Sequence, residues 1–170
     1  LYRALPTTTA ARDSRLLTDL ELASRLSFFL WRSIPDDELL TLGERGKLRD
    51  AAVLKQQVRR MLIDRRSTRF MNDFVEQWLQ VRNIQSSEPD ASLFQGFDST
   101  LRDAMARETQ LFFESQVRED RPIQDLLKAD YTFLNERLAR HYRIAHVLGS
   151  HFRRVSFAGD SERQRGGLLR

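Results

Sequence analysis

ELASRLSFFLWRSIPDDELL (residues 21–40) is the stretch that decides the fold. It overlaps Thr18-Asp19-Leu20-Glu21, whose S/T-x-x-E form is that of a capping box and predicts the start of a helix. Apolar residues then recur at the i, i+4, i+7 and i+8 spacing of a buried helix face, at Leu22, Leu26, Phe29 and Leu30. Pro35 lacks an amide hydrogen, so we expect this helix to end near Arg32 and a short second helix to begin on Asp36-Asp37-Glu38.

The composition favours the same helical class along the rest of the chain. Its 170 residues are 41% hydrophobic and 31% charged, as in globular proteins, and seven Gly and four Pro are few for the turns of an all-β fold. We expect an all-α, single multi-helix domain, orthogonal or bundle-like, of about six to seven helices, with a short irregular or β-hairpin-like C-terminal tail. Further helices are expected at about 51–63, 66–81, 98–117 and 133–142, the last capped by Thr132.

The charge pattern is that of solvated helices rather than of a nucleic-acid surface. The formal charge is +4, with 25 Arg and 3 Lys. Acids and bases alternate at i,i+4 spacing, as in Asp98/Arg102, Asp103/Arg107 and Glu114/Arg118. We therefore expect no nucleic-acid partner. Such a partner would require a single basic surface made of Arg59, Arg60, Arg65, Arg66 and Arg69.

Several kinds of site are not expected in this chain. With no cysteine, it can hold no disulfide, iron–sulfur cluster, cysteine-ligated zinc or covalently attached c-type haem. His141, His146 and His151 are five residues apart, a spacing that converges on neither a helix nor a strand, so no metal site is predicted. No apolar run approaches the ~20 residues that span a bilayer, so no transmembrane segment is predicted.

The aromatic residues are the main apolar mass of the predicted helices. Their helical spacing is typical of core side chains, and less often of a cofactor-binding box. We therefore expect the core to contain Phe28, Phe29, Trp31, Phe70, Phe74, Trp78, Phe112 and Phe113.

One polar pair interrupts the predicted apolar faces. Arg25 lies within the stripe of the first helix, and Glu108 lies within the stripe of the helix at 98–117. An unpaired buried charge costs several kcal/mol, so each needs a partner. We predict that Arg25 and Glu108 form a buried pair, with Asp73 as a further acceptor. A structural role is favoured for this pair over a catalytic one, because most buried pairs are structural.

These segments also resemble a known family along nearly all of residues 17–169. The resemblance is carried by LTDLELASRLSFFLWRSIPDDELL (17–40), FVEQWLQVRNI (74–84), RDAMARETQLFFESQVRED (102–120), DYTFLNERLARHYRI (130–144) and FRRV…RGGLL (152–169). The chain resembles the helical domain of unknown function of large planctomycete-type exported proteins that carry a cytochrome c module.

The resemblance implies a domain organisation and a setting, but no established reaction. Residues 1–16 would be an irregular lead-in, residues 17–145 the helical domain, and residues 146–170 the truncated start of the following domain. The whole protein would be exported, to the periplasm or cell envelope, with a c-type haem on a separate domain. This chain lacks the C-x-x-C-H attachment site, and Arg143 stands where relatives often have Gly after the His-Tyr pair.

Two functions follow as hypotheses. The first is a non-catalytic helical scaffold that docks onto neighbouring domains of the same polypeptide, including the haem domain. The second is a part of an oxidoreductase or polymer-degrading enzyme whose site is completed by domains outside this chain. In that case Glu108 or His141 would be the catalytic candidate.

Overall fold

A computed structural model describes residues 16–90, 92–94, 96–157 and 167–168. Its α-helices are α1 (Asp19–Trp31), α2 (Asp37–Glu44), α3 (Ala51–Ile63), α4 (Thr68–Trp78), α5 (Ser99–Arg118), α6 (Asp125–Lys128) and α7 (Glu136–His141). Two 3-10 helices, Arg65–Ser67 and Val81–Ser86, flank α4. Strands β1 (Tyr131–Leu134) and β2 (Arg153–Ser156) pair in an antiparallel sheet. The prediction of a mainly helical domain with a small hairpin-like tail is confirmed, whereas most of the expected lead-in lies outside the described residues.

The helices begin where short polar side chains can cap them. In α1 the capping box is complete: Thr18 Oγ1 accepts the amide of Glu21 at 3.2 Å, and Glu21 Oε2 accepts the amide of Thr18 at 2.9 Å. Side-chain caps also begin four further helices, at Asp36, Asp50, Asp98 and Asn135. The acidic turn after Pro35 is therefore the start of α2, as its sequence predicts.

Among the described residues the apolar core consists of two larger clusters and a smaller one, the last formed by Phe112, Ala129 and Tyr131. Ala23, Leu30, Trp31, Leu39, Leu48 and Met61 form the cluster of the first three helices. Leu101, Ala104, Leu134, Leu138, Ala139, Ile144, Val147 and Phe157 form the cluster that α5 shares with the sheet and α7. Val147 and Phe157 thus pack on the same core as α5, while the domain boundary at residue 145 stays a prediction.

Arg118, in the last turn of α5, joins this helix to the end of α3. Its Nη1 donates to the backbone carbonyl of Leu62 at 3.1 Å and also to that of Ile63. Its Nη2 donates to Thr68 Oγ1 at 2.8 Å, and its Nε to Glu114 Oε1 at 2.8 Å. Because the last carbonyls of a helix have no partner inside it, this guanidinium stabilises the C-terminus of α3 by donating to two of them.

The buried face of α1 differs from the predicted one by about one residue. Ala23 and Ser27 are fully buried, together with Leu30 and Trp31, whereas Phe29 is 63% exposed. Small side chains at the contact let α1 approach its neighbours closely. In addition, Trp31 Nε1 donates to the buried carbonyl of Met61 at 2.9 Å, which fixes the rotation of the helix.

The segment after residue 130 also differs from the prediction. Thr132 does not cap a helix; it lies in β1, opposite Val155 of β2, and the cap of α7 is Asn135. The β-branched and aromatic residues Tyr131, Thr132 and Phe133 favour a strand wherever a partner is available. The partner here is more than 20 residues away in sequence, which is why local patterning favoured a helix.

The buried carboxylate of Asp19 forms hydrogen bonds that its position in the capping box does not predict. Its carboxylate accepts the backbone amides of Leu48 at 2.7 Å and Arg49 at 3.2 Å, and Arg49 Nε at 2.5 Å. Burial raises the pKa of Asp19, but these hydrogen bonds outweigh burial and hold the pKa below its usual value. Asp19 thereby anchors the start of α1 to the connection between α2 and α3.

Candidate functional site

The predicted buried pair of Arg25 and Glu108 does not exist, because Arg25 is exposed. The rotation of α1 that buries Ala23 and Ser27 turns Arg25 towards solvent. Asp73, the further acceptor expected for Arg25, instead pairs with Arg32, and lies 3.8 Å from Arg82 Nη2. The prediction was wrong because it took the apolar stripe of α1 to be its buried face.

Glu108 has hydroxyl partners on the sheet and on the chain just after α7. Thr132 Oγ1 donates to Glu108 Oε1 at 2.5 Å, and the Tyr142 hydroxyl donates to Glu108 Oε2 at 2.8 Å. The ring of His141 lies against that of Tyr142, with centroids 5.3 Å apart. The structure therefore gathers both weak catalytic candidates, Glu108 and His141, around Tyr142. The geometry gives the carboxylate two O–H donors and ties α5 to β1 and α7.

Five rings on α1, α4 and α5 form a continuous surface that we call the aromatic face: Phe29, Phe70, Phe74, Trp78 and Phe113. Neighbouring ring centroids are 4.7 Å apart for Phe29–Phe70, 6.3 Å for Phe70–Phe74 and 5.9 Å for Phe74–Trp78. Phe113 of α5 stacks on Phe74 at 5.5 Å. Such separations are typical of favourable aromatic pairs, so each ring helps to hold its neighbour in place.

Three rings of the aromatic face are largely open to solvent, which contradicts the prediction that they fill the core, whereas Phe70 packs against the cluster of the first three helices. Phe29 is 63% exposed, Trp78 52% and Phe74 47%. In α4 the buried side chains are Met71 and Val75, one residue further along than Phe70 and Phe74. The spacing predicts that the rings of α4 share one side of the helix. It does not predict that the neighbouring row, Met71 and Val75, is the buried one. Phe28, at 57%, is exposed as well but forms none of these ring contacts.

Positive charge borders the aromatic face on the α1 side. Arg25 lies four residues before Phe29, hence on the same side of the helix. Within the described part of the chain, no acidic side chain lies within ion-pairing distance of Arg25. Arg32, in contrast, is paired with Asp73. The rim of the aromatic face thus offers one exposed guanidinium to an acidic group.

The acidic turn at the start of α2 belongs to a structural ion-pair network. Arg60 donates to both carboxylate oxygens of Asp36, at 2.7 and 3.1 Å, and these hydrogen bonds hold the pKa of Asp36 below its usual value despite partial burial. Arg66 lies over the ring of Trp31, 3.4 Å from its centroid. Hydrogen bonds from Arg66 also lower the pKa of Asp64 to about 2. This network holds α2 and α3 against α1.

A groove of about 600 Å³ lies beside α5, and we call it the polar groove. Its apolar lining residues are Val81, Ala104, Ala106 and Phe152. Its polar side chains include Glu76, Arg82, Gln85, Asp103, Arg107 and Gln110. No feature of the sequence pointed to this groove, because its residues come from four separate segments that become neighbours only in the folded chain.

Three of the five arginines that a nucleic-acid surface would need are paired with acids, in Arg59–Asp120, Arg60–Asp36 and Arg66–Asp64. Among the described residues, no group of three or more His, Asp or Glu side chains is arranged to hold a metal ion. Within the same part of the chain, no helix has the length and apolar character needed to cross a membrane.

Comparison with known proteins gives one match. The model of a family described as PSD4, protein of unknown function (DUF1592), matches residues 17–144. No curated protein and no solved structure matches the chain.

Proposed function

This chain belongs to the PSD4 (DUF1592) family of proteins of unknown function, and we propose that it is a non-catalytic helical docking module of a larger exported protein. Its aromatic face binds a neighbouring domain of the same polypeptide. The observation that carries this proposal is the exposure of Phe29, Phe74 and Trp78 within one continuous row of ring contacts.

The energetics favour a covered aromatic face. Burying one large apolar side chain contributes about 1.5–3 kcal/mol, so three half-exposed rings offer a substantial driving force for association. Aromatic residues in contact with one another keep a defined shape and lose little conformational entropy on binding, as in the centres of protein interfaces. Phe74 is held by both Trp78 and Phe113, so the surface is already ordered before any partner arrives.

The partner surface is specified by the chemistry of the aromatic face and its rim. An apolar centre is needed for the rings, and an acidic side chain at the edge would pair with Arg25, which forms no ion pair within the described part of the chain. The formal charge of +4 favours an acidic partner as well. We propose that this partner is a domain of a periplasmic or envelope-located, cytochrome-c-containing polypeptide, with the haem attached to a separate segment, since this chain has no cysteine.

The proposal is tested in the full-length polypeptide by small-angle X-ray scattering. Trp78→Ser should release the domain and raise the radius of gyration. Phe94→Ser, which removes an aromatic ring that is also exposed (56%) but lies outside the aromatic face, is the matched control and should leave the radius unchanged. Circular dichroism of both variants checks that the helices remain. Equal radii for the wild type and Trp78→Ser would contradict the proposal.

A second candidate function is a contribution to an enzyme, either an oxidoreductase or a polymer-degrading enzyme, with a site completed by other domains. It is favoured by the grouping of Glu108, Tyr142 and His141. A carboxylate that accepts from a phenol, with an imidazole ring beside that phenol, can transfer protons. The test is Glu108→Gln in the full-length polypeptide. Loss of turnover with an unchanged melting temperature would favour catalysis, whereas a lower melting temperature with retained turnover would assign Glu108 a structural role.

A further inference from the structure

The polar groove contains a guanidinium that its surroundings do not neutralise. Arg107 is partly buried, and its Nη1 donates to the neutral amide oxygen of Gln110 at 3.1 Å. Within the described residues, no carboxylate lies within ion-pairing distance of Arg107. A partly desolvated charge that has only a neutral acceptor is poised to bind an anionic group.

The acids of the polar groove are engaged by other donors. Asp103, one turn before Arg107 on α5, accepts from Gln85 Nε2 at 2.9 Å. Glu76 accepts from Arg82 Nε at 3.0 Å and from Gln110 Nε2 at 2.7 Å. Among the described residues Arg107 forms no ion pair, whereas the other guanidinium of the groove, Arg82, pairs with Glu76, so Arg107 is the one available to a new anion.

We propose that the polar groove binds a hydroxylated carboxylate, a short saccharide of uronic-acid type, with its carboxylate on Arg107. The planar guanidinium suits a planar carboxylate, which it binds through two parallel hydrogen bonds. Glu76 and Asp103 line the groove beside this guanidinium. The same two carboxylates, with the amide of Gln85, provide acceptors and donors for sugar hydroxyl groups.

The shape of the polar groove agrees with this ligand class. Its apolar lining residues, Val81, Ala104, Ala106 and Phe152, suit the C–H face of a sugar ring. A volume of about 600 Å³ lies within the usual range for small-molecule sites and leaves room for more than one sugar residue. The groove is separate from the proposed docking function, which depends on the aromatic face.

Saturation-transfer NMR on the full-length polypeptide, with trigalacturonate as the probe, tests the proposal. Trigalacturonate should bind, and Arg107→Gln should weaken binding by about tenfold or more, since a hydrogen-bonded charge contributes about 1.5–3 kcal/mol. The control variant Arg69→Gln removes an exposed guanidinium on α4 that does not line the described groove, and should bind as the wild type does.

Three results would overturn the proposal. The first is the absence of binding, and the second is equal binding by Arg107→Gln and the wild type. The third is binding of neutral maltotriose or of the acidic peptide triglutamate with the same affinity as trigalacturonate. Maltotriose tests whether the carboxylate matters, and triglutamate tests whether the sugar ring does.

Discussion

Phe74 of α4 stacks on Phe113 of α5 with ring centroids 5.5 Å apart and ring planes inclined by 25°, and yet 47% of Phe74 is exposed. In a core, such a pair would be enclosed by further side chains. Here it is the middle of a row that reaches Phe29 through Phe70. The pair shows that the outer side of the α4–α5 contact is built as an ordered aromatic surface, which is the basis of the proposed docking function.

The aromatic face should contribute less to folding than its apolar area suggests. Phe29→Ser should lower the free energy of unfolding by about 1 kcal/mol or less, because the side chain is already mostly in water and loses mainly its contact with Phe70. Leu39→Ser, at a fully buried position of α2, should cost several kcal/mol or prevent folding. Urea denaturation measures both. Comparable losses for the two variants would contradict the assignment of Phe29 to a surface.

Arg118 should be the most important charged residue of α5 for stability. Arg118→Ala leaves the carbonyl of Ile63 and the hydroxyl of Thr68 without this donor, so the free energy of unfolding should fall by about 2 kcal/mol. Arg140→Ala removes a mostly exposed i,i+4 pair with Glu136 and should cost about 0.5 kcal/mol or less. Urea denaturation at pH 7 compares the two. Equal losses would show that the contacts of Arg118 with α3 contribute nothing.

Asp64 should make stability depend on pH in the acid range. Its pKa, about 2 in the folded protein against an ordinary 3.8, is lowered chiefly by hydrogen bonds from Arg66. A lowered pKa stabilises the fold above the ordinary value, and this contribution is lost as the pH falls through about 2. The wild type should therefore exceed Asp64→Asn in stability at pH 5–7, and the difference should shrink between pH 4 and pH 2. Denaturant titrations measure this stability difference. A difference that does not vary with pH would show that the ion pair of Asp64 is not its source.

Arg143 should tolerate glycine better than its position near α7 suggests. Its φ of 58° is in the left-handed region, which costs a non-glycine residue about 1–2 kcal/mol. In Arg143→Gly the relief of this strain is partly offset by the entropy that glycine gains in the unfolded chain. Stability should therefore stay unchanged or rise by up to about 1 kcal/mol. Arg140→Gly, inside α7, should lower stability by about 1 kcal/mol. Thermal unfolding compares them, and a loss of stability in both would refute the strain argument.

The parts of the fold that sequence could predict are those decided by near neighbours. The capping box of Thr18 and the caps at Asp50 and Asp98 depend on residues two or three positions away, so their patterns suffice. The stop at Pro35 is likewise local, because the ring itself removes the amide hydrogen. The helix starts at 19, 51 and 99 therefore match the expected ones closely.

The features that sequence missed depend on contacts between distant segments. The spacing of Trp78 is typical of a core residue. Only the packing of α4 through Met71 and Val75 shows that the row containing Trp78 is exposed. Thr132 became a strand residue because β2 is available to pair with it. Arg25 and Phe29 were both expected to be buried, because both lie on the apolar stripe of α1. The expectation was wrong because a helix whose apolar stripe has small residues beside it can be rotated by one position without breaking the period.

Hydroxyl-radical footprinting of the full-length polypeptide tests the central claim most directly. Phe29 and Phe28 are adjacent on α1, equal in chemistry and similarly exposed, at 63% and 57%, but only Phe29 belongs to the aromatic face. If a neighbouring domain covers that face, Phe29 should be oxidised several-fold more slowly than Phe28, and Trp78 should be protected with it. Equal oxidation rates for Phe29 and Phe28, with Trp78 fully reactive, would contradict the docking function.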